Sequence, residues 1–133
     1  MPRKWIVVVI EDEAKASLAE LFVNPDVQSE IKRLLKLLAE QDDPRYPKTI
    51  NLMVDRIQHD APYWWRIKVP RYAIRIIFRL RVVYQDKPIL IRGDEAINTD
   101  ENRYIEIMYA SYRGSAYGKT LRRLFPKYET DGE

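Results

Sequence analysis

Between Tyr63 and Tyr84 the chain carries six Lys or Arg residues and no acidic one. They are Arg66, Lys68, Arg71, Arg75, Arg79 and Arg81, interleaved with Trp64, Trp65, Ile74, Ile76, Ile77 and Phe78. Guanidinium forks grip phosphates bidentately and aromatic rings stack on bases, so this mixture suits a surface that binds phosphates and bases. A second block, residues 111–125, adds Arg113, Lys119, Arg122 and Arg123, again with no acid. Elsewhere the balance reverses: residues 1–62 hold 9 basic and 11 acidic groups, and residues 85–110 hold 3 and 6. The net charge of +3 is therefore concentrated in two blocks, the footprint of a polyanion-binding face.

Strand side chains alternate between faces, so the basic stretch can be tested for parity. An even loop of about four residues with Pro70-Arg71 at its tip sets Ile67 against Ile74, Trp65 against Ile76 and Tyr63 against Phe78. That row is apolar. The other face then pairs Lys68 with Ala73, Arg66 with Arg75 and Trp64 with Ile77, and Arg79 and Arg81 continue it. Like charges facing across strands cost about 0.2–1 kcal/mol, which a bound phosphate would relieve. On this parity Trp65 belongs to the core. Trp64, Arg79 and Arg81 become candidate nucleic-acid contacts, together with Lys119 and Arg122 of the second block.

The elements that must carry these residues can also be read. Trp5–Ile10 is a β-branched run of strand length, followed by acids suited to a helix N-terminus. Ala14, Leu18, Leu21 and Phe22 recur at helical spacing until Asn24-Pro25 stops them. Asp26 is the expected cap of a second helix with Val27, Ile31, Leu34, Leu35 and Leu38 on one face, giving an antiparallel helical hairpin. Residues 44–62 are ambiguous, since Ile50–Ile57 fits a short strand or a helical turn equally. Beyond the basic hairpin come a turn at Gln85–Pro88, a short strand at Ile89–Ile91, a polar loop to Asn102 and a strand at Tyr104–Tyr112. Leu121, Leu124 and Phe125 form the apolar side of a last short helix ended by Pro126. The expectation is an α+β fold: an N-terminal strand and helical hairpin on one face of a mainly antiparallel sheet, then a short C-terminal helix.

A chain of 133 residues with 46% apolar content predicts one domain, 1–126, with a polar tail at 127–133. The absence of cysteine excludes disulfides, thiol nucleophiles and cysteine-ligated metals. No apolar run is long enough for a membrane span, no signal sequence precedes the first strand, and a cytoplasmic location is expected. No cluster of His, Asp and Glu suggests a metal or other cofactor. His59, the single histidine, lies just before the basic strand and has no identified partner.

"WWRIKVPRYAIRIIFRL", "YIEIMYASYR" and "AYGKTLRRLF", in that order, resemble the RelE/ParE superfamily of bacterial toxins, and more closely its RelE-like branch. The N-terminal strand and helical hairpin match as well, so the resemblance covers nearly the whole chain. It implies a RelE-like fold and a toxin neutralised by a cognate antitoxin protein. RelE-like members cleave mRNA on the ribosome, so the implied activity is a metal-independent endoribonuclease. The alternatives are a ParE-like DNA gyrase poison and a nuclease-inactive nucleic-acid-binding module on the same fold. Carried over by position, Arg66 and Lys68 match the paired basic residues of the central strand and Arg75 the Arg of the next. Arg113 matches the Arg after the last strand, and Tyr117 the Tyr at the final helix. Arginine does not give up its proton, so Arg66, Arg75 and Arg113 are expected to clamp phosphate, and Lys68 or Tyr117 to move protons.

Overall fold

Ala14, Leu18 and Leu21 are all buried, so helix α1 (Asp12–Leu21) forms with its apolar stripe against a sheet. The structure is a computed structural model and describes residues 5–49, 52–57, 63–97, 99, 102–112 and 119–124. Helix α2 (Pro25–Ala39) buries Val27, Ile31, Leu34 and Leu38, the expected stripe. Its cap differs from the expectation. Asn24, not Asp26, accepts hydrogen bonds from the Asp26 and Val27 N–H groups, at 3.0 and 3.4 Å. Pro25 is the first helical residue, where a missing N–H breaks no bond, so the pair that ends α1 also starts α2.

The sheet contains β1 (Ile6–Val8), β2 (Met53–Arg56), β3 (Trp64–Val69), β4 (Ile74–Tyr84), β5 (Lys87–Leu90) and β6 (Arg103–Tyr112). Its order is β1-β6-β4-β3-β2, with β5 also paired to β4. Strand β1 is parallel to β6, and the other pairings are antiparallel. The fold is therefore α+β with a mainly antiparallel sheet, as the sequence implied. The ambiguous stretch resolves in part: residues 53–56 form an edge strand. Strand β4 is long enough that β3 pairs along residues 74–79 and β5 along 81–84. Gln85 and Asp86, at φ 52° and 64°, make a two-residue turn, so Pro88 lies in β5 rather than in the turn.

The two faces carry different cores. Toward the helical hairpin lie Trp65, Ile67, Val69, Ile74, Ile76, Phe78, Leu80, Ile105 and Ile107, with the stripes of α1 and α2. On the opposite face Ile57, Trp64, Ile77 and Met108 pack under Leu121 and Leu124 of the helical residues 119–124. The C-terminal helix thus covers the face that the hairpin leaves open, not the same one. A bulge makes this possible. Ile77 pairs with Tyr109 but Phe78 with Ile107, so β6 holds one extra residue and Met108 and Tyr109 share a face. Strand β1 stops opposite Glu106; farther along β6, Ser17 Oγ accepts from the Ala110 N–H at 3.1 Å while donating to the Ala14 carbonyl at 2.8 Å.

Two loops are tied together beside β2. Buried Arg45 grips Asp43 through Nε and Nη2, at 2.9 and 2.8 Å, and donates to the Gly93 carbonyl at 2.6 Å. The Tyr46 hydroxyl bonds Asp94, and its ring meets Trp65 edge-on at 5.7 Å between centroids. Gly93 sits at φ +51°, and a Cβ there would lie 3.1 Å from an Arg56 guanidinium nitrogen. No helix among the described residues is long and apolar enough to cross a membrane.

Candidate nucleic-acid interface

The β3–β4 loop is even and four residues long, as parity demanded. It spans Pro70–Ala73, one residue later than expected, because Ala73 closes the short helical turn in the left-handed region at φ 53°. Pairs therefore sum to 143 rather than 141. Trp65 meets Phe78, Ile67 meets Ile76 and Val69 meets Ile74, preserving the apolar face. On the other face Arg66 meets Ile77, not Arg75, and the like-charge pair is Lys68 opposite Arg75.

Registers across four strands assemble the site. One row runs Met53, Lys68, Arg75 and Ser111; the next runs Asp55, Arg66, Ile77 and Tyr109. Asp55 was not foreseen. It accepts from Arg66 Nε and Nη2 at 2.9 and 2.7 Å and lies 3.2 Å from Lys68 Nζ. Partial burial alone would raise the Asp55 carboxyl. The hydrogen bonds from Arg66 and Lys68, with their charges, outweigh it and hold the group below its ordinary value. Arg75 is half-buried and donates to the Ile74 carbonyl at 3.4 Å, and no carboxylate among the described residues pairs with it. Among the described residues the two rows thus set three half-buried cations beside one paired carboxylate, at a depth where water and an incoming anion both reach them.

The rest of the expected set divides. Trp64 is 2% exposed and belongs to the second core, so it cannot stack on a base while the C-terminal helix is in place. Arg79 is wholly buried, with Nη2 2.8 Å from Glu106 Oε1, so it is a structural ion-pair member and not a surface contact. Arg81 lies 2.9 Å from the other Glu106 oxygen and keeps 25% of its side chain exposed. Lys119 and Arg122 are exposed on the C-terminal helix, whose Arg123 pairs with Glu13 at 2.9 Å. Arg113, Tyr117 and His59 lie outside the described residues. Among those described, no group of three potential metal ligands occurs.

Chemically, the Lys68–Arg75 pair with Arg66 beside it can hold a phosphate and oppose charge that develops on it. Asp55 stays ionised at neutral pH and, with its lowered pKa, is a weak base. It orients its cationic partners. In comparisons with known proteins, no family model, no curated protein and no solved structure matches this chain.

Proposed function

We propose that this chain is the toxin of a toxin–antitoxin pair and cleaves mRNA by metal-independent attack of a ribose 2′-OH. The observation that supports it is the half-exposed cluster of Arg66, Lys68 and Arg75, in which Asp55 is the acid paired among the described residues. In the reaction the 2′-oxygen bonds to phosphorus, the bond to the 5′-oxygen breaks, and a 2′,3′-cyclic phosphate and a 5′-hydroxyl result. Arg75 and Arg66 stabilise the extra negative charge on phosphorus. The Lys68 ammonium gives a proton to the departing 5′-oxygen, and Tyr117, acting as the phenolate, is assigned the 2′-OH proton by resemblance. The ribosome presents the RNA, and the antitoxin supplies acids that cover the row.

Asp55 favours one second reading. A carboxylate already held by Arg66 and Lys68 suits a module that binds RNA without cutting it. Induced expression separates the two. On the nuclease reading growth stops and translated transcripts gain new 5′ ends. Arg75→Ala lowers cleavage about 10²–10³-fold at an unchanged unfolding midpoint. Arrest with intact transcripts overturns it, and inhibited supercoiling by the purified protein then points to gyrase.

A further inference from the structure

Strand β2 is the edge of the sheet, and its outer side faces a groove of about 420 Å³. Leu52 through Asp55 line it together with Tyr46, Pro47 and Lys68. The backbone on that edge can be identified. Ile57 N–H donates to the Trp64 carbonyl, so residues 53, 55 and 57 point their amides at β3, and by alternation 52, 54 and 56 point theirs outward. Leu52 N–H fits this, bonding Thr49 outside the sheet at 3.3 Å. The Val54 and Arg56 amides meet no backbone partner among the described residues.

Three features say what fits there. Lys68 and Asp55 belong both to the groove and to the cationic row, so an anion on Lys68 and Arg75 sits about 5–10 Å away, one to two strand spacings. The Tyr46 ring is half-exposed yet held at both ends, by Asp94 at its hydroxyl and by Trp65 at its edge. Among the described residues the accessible edge is short, with two outward residues, and the 45–47 segment lines the groove beside it. A flat ring fits such a site better than a long added strand.

We propose that this groove is a nucleobase subsite. The base adjoining the phosphate at Lys68 and Arg75 packs against Tyr46 and Pro47 and takes hydrogen bonds from the outward Val54 amide edge. This rests on the reading of the cationic row as an RNA phosphate site.

The test is an amide-shift titration of the whole protein with adenosine 5′-monophosphate, with ribose 5-phosphate as the baseless comparator. The expected result is shifts at Val54 and Arg56 with the nucleotide alone, and binding about tenfold tighter than ribose 5-phosphate. Tyr46→Ala and Val54→Pro should each remove that advantage. Proline there deletes an outward N–H and spares the ladder. Tyr46→Phe keeps the ring and should bind within about twofold of the parent, separating stacking from loop anchoring. Should Val54→Pro not fold, the two Tyr46 variants carry the test. Equal binding of both ligands overturns the inference. So does a shift of these amides by a capped Val-Thr pentapeptide and not by the nucleotide, which would indicate strand addition. Groove binding in a protein that leaves transcripts intact would retain the subsite and remove the nuclease reading. Cleavage without groove binding would do the reverse.

Discussion

Two clusters on one face of the sheet use the same residue types to opposite ends. Arg66 and Lys68 share Asp55 and, with Arg75 beside them, remain within reach of solvent, whereas Arg79 and Arg81 share Glu106, which is 1% exposed. In a straight reading of the chain all five cations look alike, because none has an acid near it in sequence. What separates them is what crosses over: an edge strand beside the first cluster, an inner strand and apolar cover beside the second. A charge stays accessible or becomes a structural member according to its depth and its cross-strand neighbour. A run of cations along a strand is therefore not yet a charged surface.

The largest expected effect comes from breaking the buried cluster. Glu106→Gln neutralises the buried carboxylate 2.8 Å from the fully buried Arg79 guanidinium, so urea unfolding should show a loss of about 3–5 kcal/mol. Replacing both partners with apolar residues, Arg79→Met with Glu106→Leu, should recover most of that loss. If the single substitution is nearly neutral, the cluster is surface-like and the contrast between the two regions fails.

How much was legible follows from the same contrast. Helical and strand periodicities gave both helices, the hairpin, the apolar face and the α+β class, because each is set by local spacing against one core. Hairpin parity survived the one-residue displacement of the loop, since an even loop keeps the faces while changing the partners. Three things were not local. Asp55 lies in a stretch whose pattern fits strand and helix equally, and only pairing with β3 brings it to Arg66. The bulge at Met108 reverses the parity of β6, which alternation alone cannot reveal. Trp64 is buried in a cluster with the C-terminal helix, which is 55 residues farther along the chain, and Arg79 is buried against Glu106 of β6. Glu106 did leave a signal, an acid inside the apolar run "YIEIMY", where an interior cation would be its natural partner.

In the exposed cluster the corresponding change should do less to the fold and more to binding. Asp55→Asn breaks an ion pair that is 38% exposed on the acid side, so the stability loss should stay below about 1 kcal/mol. On the proposed RNA reading, affinity should rise several-fold at low salt, because Arg66 and Lys68 no longer share a carboxylate, and should fall more steeply with salt. The pH dependence has a definite sign. The folded-state pKa of Asp55 is lowered, so its contribution is present above the unfolded-state value of about 3.9 and disappears as pH falls through the folded-state value. The stability gap between parent and variant should be level from neutral pH to about 4 and close in stronger acid. A gap that widens on acidification would mean that Asp55 is held by something other than its two cations.

The smallest expected effect concerns the turn that decides which cations meet. Ala73 holds φ 53° at the end of the four-residue loop, a conformation glycine adopts without strain. Ala73→Gly should raise stability by about 0.5 kcal/mol, the relief of strain being partly offset by the greater freedom of glycine when unfolded. Ala73→Val should lower it by about 1–2 kcal/mol, since a β-branched residue tolerates that region poorly. Neither change touches Lys68 or Arg75, so RNA affinity should hold as long as the register holds. An affinity that drops with Ala73→Val while the protein stays folded would show the loop shifting to a different pairing. The opposition of Lys68 and Arg75 would then be the feature on which binding depends, more than the number of cations on the face.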